Sequence, residues 1–136
     1  MTDTHYQPTP RDDQSQLSEV VDSSIRVLAN DLHRLNESVR AAVENKITVE
    51  LLRTSRYHSD DGCWGDQLTP MIKGVEGQNI DLDATIRILA NNLHRMNESL
   101  RAAVEAGVTI ELMRTSRFHS EAGSWGDQMT PILIQK

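Results

Sequence analysis

"RTSRYHSDDGCWGDQLTP" (residues 53–70) and "RTSRFHSEAGSWGDQMTP" (residues 114–131) are one segment written twice in a chain of 136 residues. Shifting the chain by 61 positions aligns Ile25 with Ile86, His33 with His94, Glu50 with Glu111 and Trp64 with Trp125. About two-thirds of the pairs between 22–73 and 83–134 are identical, without a gap, which marks an internal repeat. The substitutions are informative. Leu35 becomes Met96, Val49 becomes Ile110 and Tyr57 becomes Phe118, so apolar positions change shape within their class while many polar positions stay put.

Upstream of each segment the apolar period is helical. Ile25, Leu28, Leu32, Leu35, Val39 and Val43 make a stripe, with Arg26, Arg34, Glu37, Arg40 and Glu44 on the far side. Asp22 and Asp83 suit amino-terminal caps, and Gly107 suits the carboxyl end of the second helix. The period then switches to two. In "ITVELLRTSRYH" the residues Ile47, Val49, Leu51 and Tyr57 share one parity, and Thr48, Glu50, Thr54, Arg56 and His58 take the other. A turn with Gly62 and Gly65, both open to positive φ, leads to a short second strand.

A unit of one helix and one hairpin buries too little surface to be stable alone. The expected fold is therefore α+β. A tandem duplicated helix–β-hairpin unit would form a pseudo-two-fold four-stranded antiparallel sheet with two helices on one face. Residues 1–17 read as a disordered tail, 18–73 as the first repeat, 74–82 as a linker and 83–136 as the second repeat, both repeats making one domain. Pro70 and Pro131 disfavour a central place for the second strands. The first strands are thus expected to pair antiparallel about Arg53 and Arg114, setting Glu50 opposite Arg117 and Arg56 opposite Glu111.

Asn36 and Asn97 lie inside the apolar stripes, and a buried amide needs partners. Arg53 and Arg114 are expected at their level, on the helix-facing parity, with Asp66 or Glu37 as counter-ion in the first copy. Two readings follow: a structural network of Asn, Arg and Asp, or an Arg held for a ligand carboxylate or phosphate. Trp64 and Trp125 read either as plugs of the core or as exposed platforms. His58 and Asp66, with His119 and Asp127, could orient one another, but two ligands are fewer than a zinc site uses. The row of Arg56, His58, Arg117 and His119, with Leu52 and Met113 between, reads as a solvated face or a partner surface.

The formal net charge of −6 argues against a nucleic-acid backbone as main partner. The single Cys63 aligns with Ser124, which leaves no disulfide within the chain and no Cys-based metal site. No apolar run reaches membrane-span length and no signal-peptide core is visible, so a soluble cytoplasmic protein is expected. Phosphate-loop, paired zinc-ligand and nucleophile-elbow motifs are missing, and Ser55 points away from His58 by parity. The expectation is a non-enzymatic bacterial or phage binding protein that works through protein–protein contact or self-association, without cofactor or metal. The alternative is a binder of a small anion such as a cyclic nucleotide, at two equivalent sites. Candidate binding residues are Arg53, Arg56, His58, Trp64, Asp66 and their counterparts Arg114, Arg117, His119, Trp125 and Asp127.

Overall fold

Six elements follow one another in the computed structural model, which describes the backbone of residues 10–74 and 82–135 and the side chains of 19–74 and 84–134. They are α1 (Pro10–Glu44), β1 (Ile47–His58), β2 (Trp64–Gly74), α2 (Leu82–Glu105), β3 (Val108–His119) and β4 (Trp125–Gln135). Helix α1 starts well before Asp22, so Asp22 is an interior helical residue and not a cap. Proline at the first helical position, with Asp12 and Asp13 in the first turn, is a favourable helix start. Residues 10–17, expected in the tail, therefore have helical backbone, and residues 1–9 and 75–81 lie outside the described residues. Helix α2 begins at Leu82, which puts Asp83 inside its first turn.

The stripes behave as their spacing dictates. Leu28, Leu32, Leu35, Val39 and Val43 of α1 are buried in one cluster with Leu89, Leu93, Met96, Leu100 and Val104 of α2 and with Ile47, Val49, Val108 and Ile110 of the strands. The helices run antiparallel, because Asp31 meets Ser99 while Ser38 accepts a 2.8 Å hydrogen bond from Asn92 Nδ2. Each helix is followed, in the turn to its strand, by a residue in the left-handed region, Lys46 at φ 70° and Gly107 at φ 109°. A side chain there costs on the order of 1 kcal/mol, which only the second copy avoids.

The strands correct the expected pairing. β1 pairs antiparallel with β2, and β3 with β4, but β1 and β3 do not pair with each other. The hairpins join through two single parallel bridges, Gly65 with Ile110 and Val49 with Gly126, which close the ring β1-β2-β3-β4. The sheet is thus mixed, and Glu50 faces Met71 while Arg56 faces Asp66. Side-chain hydrogen bonds from the second strands to the first strands of the other hairpin, described below, outweigh the two ion pairs that antiparallel first strands would have gained.

A bulge in each first strand moves the side chains again. Pairing shifts between Arg53 and Ser55, and between Arg114 and Ser116. Cross-strand partners share a face, and faces alternate along the regular strand β2. His58, Arg56, Arg53 and Leu51 therefore lie with Trp64, Asp66, Leu68 and Pro70 on one face, while Tyr57, Ser55, Leu52 and Glu50 take the other. The expected surface row of Leu52 with Arg56 and His58 is divided between two faces, because one extra residue reverses every side chain beyond it.

Helix placement is exchanged between the repeats. Gly126 of β4 lies so close to α1 that a Cβ there would fall 2.4 Å from Val39 Cγ1 and 2.6 Å from Val43 Cγ2. Gly65 of β2 lies equally close to α2, 2.3 Å from Leu100 Cδ2 and 2.7 Å from Val104 Cγ2. Gly65 thus serves close approach; the positive φ of the turn belongs to Gly62 at 90°. Each helix covers the hairpin of the other repeat.

Candidate functional site

The polar residues that both copies keep gather where strand edges would otherwise be bare. Beyond the bridge at Gly65, β2 and β3 separate, and the Asp66 carboxylate takes over from the ladder. Its Oδ2 accepts the Leu112 N–H at 2.9 Å and its Oδ1 accepts Arg56 Nε at 3.0 Å. Asp127 does the same in the second hairpin, accepting Leu51 N–H at 3.0 Å and Arg117 Nε at 3.1 Å. Both carboxylates are buried, so the bonds form in a medium where an unpaired charge is costly. The Trp64 N–H bonds Thr109 Oγ1 and the Trp125 N–H bonds Thr48 Oγ1, each at 3.3 Å.

Further along the same edges the asparagines act as short strands. Asn97 Nδ2 donates to the Leu68 carbonyl at 3.0 Å, and its Oδ1 accepts the Leu68 N–H at 3.2 Å. Asn36 makes the equivalent pair with Met129, both bonds at 3.0 Å. A carboxamide has the donor–acceptor arrangement of a peptide unit and so satisfies both edge groups at once. The expected partner of Asn36 was Arg53; the exchange of helices replaces it with the backbone of the other repeat. Replacing Asn36 with Ala should cost about 2 kcal/mol, because Met129 loses both partners. Asn97→Ala should cost about the same, within about 1 kcal/mol, in urea unfolding.

The glutamines complete the junction. Arg40 Nε donates to Gln128 Oε1 at 3.1 Å, and Arg101 Nε to Gln67 Oε1 at 3.0 Å. Gln128 Nε2 reaches the Asn36 carbonyl at 3.3 Å. Neither glutamine, nor Arg40 with Arg101, was singled out from sequence, although all four are identical between copies. The glutamines' position one residue after the aspartates was the available signal.

The expected binding residues separate into held and spare groups. Arg56 lies over Trp64 and Arg117 over Trp125, each guanidinium carbon 4.0 Å from the ring centroid. The Trp rings are half-buried and carry a cation on one face, so they are neither core plugs nor free platforms. Arg53 and Arg114 are not interior. Their side chains are 52 % and 49 % exposed, and Nη1 stands 3.8 Å and 3.7 Å from the Asp66 and Asp127 carboxylates. His58 and His119 are exposed at the hairpin ends, and Asp66 spends its bonds on Leu112 and Arg56 rather than on His58. Ser55 pairs with Gln67 and His58 with Trp64, which leaves Ser and His on opposite faces. Among the described residues no group of three His, Cys, Asp or Glu side chains converges on a metal position.

Beside the hairpin ends the copies differ at a polar contact. The Tyr57 hydroxyl donates to the Glu105 carboxylate, whereas Phe118 offers Glu44 nothing equivalent. A cleft of about 360 Å³ opens beside Glu44, lined by His119, Ser120, Glu121 and Ala122. The bond to Glu105, then desolvation and the repulsion of that carboxylate, raises the Tyr57 pKa above its ordinary 10.0, against the pull of Arg101. A raised folded-state pKa means that the phenol's stabilising contribution is complete below pH 10.0 and is lost as pH rises from there through the raised folded-state value. Ultraviolet titration should show one tyrosine ionising late, and Tyr57→Phe should remove that component alone.

Among the described residues no helix is long and apolar enough to cross a membrane. Comparison with protein-family models, with curated proteins and with solved structures finds no match to this chain.

Proposed function

We propose that the chain is a non-enzymatic binding protein that works through protein–protein contact, and that its contact surface is the part of the hairpin face bearing Leu52 and Glu50 that the helices leave uncovered. The carrying observation is a set of large apolar side chains on that face. Leu52 and Met71 of the first hairpin, and Met113 and Ile132 of the second, are between 37 % and 47 % exposed, at equivalent positions. Ile134 adds to the second set where the first has Lys73. Trp125 borders the first set, forming a crevice of about 30 Å³ with Thr48, Glu50, Met71 and Lys73. Half-buried Trp beside exposed Met and Leu is the composition of an interface centre.

The occupant that fits this face is a second copy of the chain. Glu50, Glu111 and Lys73 lie on the face itself, so its rim carries both signs. A two-fold contact sets a patch against itself, and a rim of both signs can then pair acid with base. Sedimentation equilibrium tests the reading. Wild-type protein should associate with concentration, and Leu52→Asp with Met113→Asp should be monomeric with unchanged circular dichroism. A wild type that stays monomeric, or a variant that associates equally, contradicts the assigned face.

A further inference from the structure

The four arginines at the hairpin crossing outnumber their acids. Arg53 and Arg56 face Asp66, and Arg114 and Arg117 face Asp127. Each carboxylate is already satisfied without the first arginine of its pair: one oxygen holds a backbone N–H of the other hairpin, the other holds the Nε of Arg56 or Arg117. Arg53 and Arg114 stand beyond hydrogen-bond distance, and among the described residues their guanidinium groups donate no hydrogen bond. Among the described residues Arg56 and Arg117 spend only Nε, and the Trp rings beneath them hold their planes fixed. On a chain of net charge −6, each of these clusters, two arginines to one aspartate, therefore has one cation in excess. Each also presents two adjacent forks of unspent donors.

We propose that each hairpin end is a receptor for a phosphate group, bound by Arg53 with the Nη groups of Arg56 in the first repeat and by Arg114 with Arg117 in the second. A guanidinium fork matches two phosphate oxygens, and two forks on one face match a dianion. The bulge makes this possible. Without the extra residue between Arg53 and Ser55, the two arginines, three positions apart, would lie on opposite faces. The Trp face nearest the site is occupied by arginine, so the receptor reads the phosphate and has no stacking place there for a base. His58 and His119 lie on the same face at the hairpin ends and extend it as further donors.

Calorimetry with inorganic pyrophosphate at low ionic strength tests the proposal on the full chain. Saturable binding of two anions per chain is expected, with a change in Trp emission because Arg56 and Arg117 lie on the rings. Arg53→Gln should halve the stoichiometry. Arg53→Gln with Arg114→Gln should weaken binding by at least about tenfold and leave the unfolding temperature within about 2 °C of wild type, since no hydrogen bond is removed. In a second arm, adenosine monophosphate should bind no more tightly than inorganic phosphate. Three results would overturn the proposal: no saturable binding up to about 10 mM pyrophosphate, equal binding by the double variant, or a preference above about tenfold for the nucleotide.

Discussion

Asp66→Ala should lower the stability of the whole chain by about 3 kcal/mol, the largest loss expected from removing one polar side chain here. The carboxylate is 1 % exposed and joins two hairpins that share only one backbone bridge on that side. Its loss strands the Leu112 N–H and frees Arg56 from its place over Trp64. Part of the cost is recovered because Arg56 can turn to water, which holds the estimate below the upper range for a broken buried pair. Thermal unfolding should move down by about 10 °C, and Trp emission should change even below the transition. Asp66→Asn should recover part of the loss, since an amide oxygen can still accept from Leu112 while its NH₂ confronts Arg56. A loss under about 1 kcal/mol for Asp66→Ala would mean that the hairpins are joined by something else.

Gly65→Ala is expected to cost about 2 to 3 kcal/mol through overpacking alone. The new methyl would fall 2.3 Å from Leu100 Cδ2, 2.7 Å from Val104 Cγ2 and 3.1 Å from Leu100 Cγ. Leu100 and Val104 are fully buried and cannot swing away. The clash is between repeats, and that supplies a control. Leu100→Ala alone opens a cavity and destabilises, but combined with Gly65→Ala it should cost less than the sum of the two changes, because one removes the atom that the other strikes. Strict additivity in denaturant unfolding would contradict the packing of α2 on β2.

The local structure was largely legible in the residues. Spacing of Leu28, Leu32, Leu35 and Val39 gives a buried helical stripe, and alternation through Ile47, Val49 and Leu51 gives a strand with those residues inside. The assembly was not legible, for two physical reasons. The bulge after Arg53 leaves no mark in "LLRTSRYH", because Thr and Ser suit a bulge and a regular strand alike, yet it decides which face Arg56, His58 and Tyr57 occupy. The partner of a strand edge is also not written in its own period. Charge pairing favoured β1 against β3, but a carboxylate or carboxamide can stand in for a missing strand, as Asp66 and Asn97 do. Asn36 is a polar residue in an apolar stripe, and the partner that its own repeat does not reveal is the Met129 backbone of the other repeat. Pro10 opens α1 in a stretch whose polar composition reads as a tail.

These contacts share a direction. Asn36, Arg40, Val39 and Val43 of the first repeat meet Met129, Gln128 and Gly126 of the second, and Asn97, Arg101, Leu100 and Val104 return the contact to Leu68, Gln67 and Gly65. A repeat separated from its twin would lose its helix cover and leave strand edges bare, a cost that a hairpin of this size cannot carry.

Cleaving the chain within residues 75–81 and following each fragment by sedimentation and thermal unfolding tests this most directly. Each fragment alone should be unfolded, or folded only as a homodimer whose unfolding temperature rises with concentration. An equimolar mixture should regain the cooperative transition of the parent. Two fragments that unfold cooperatively as monomers, at a temperature independent of concentration, would show that the helices do not belong to each other's hairpins.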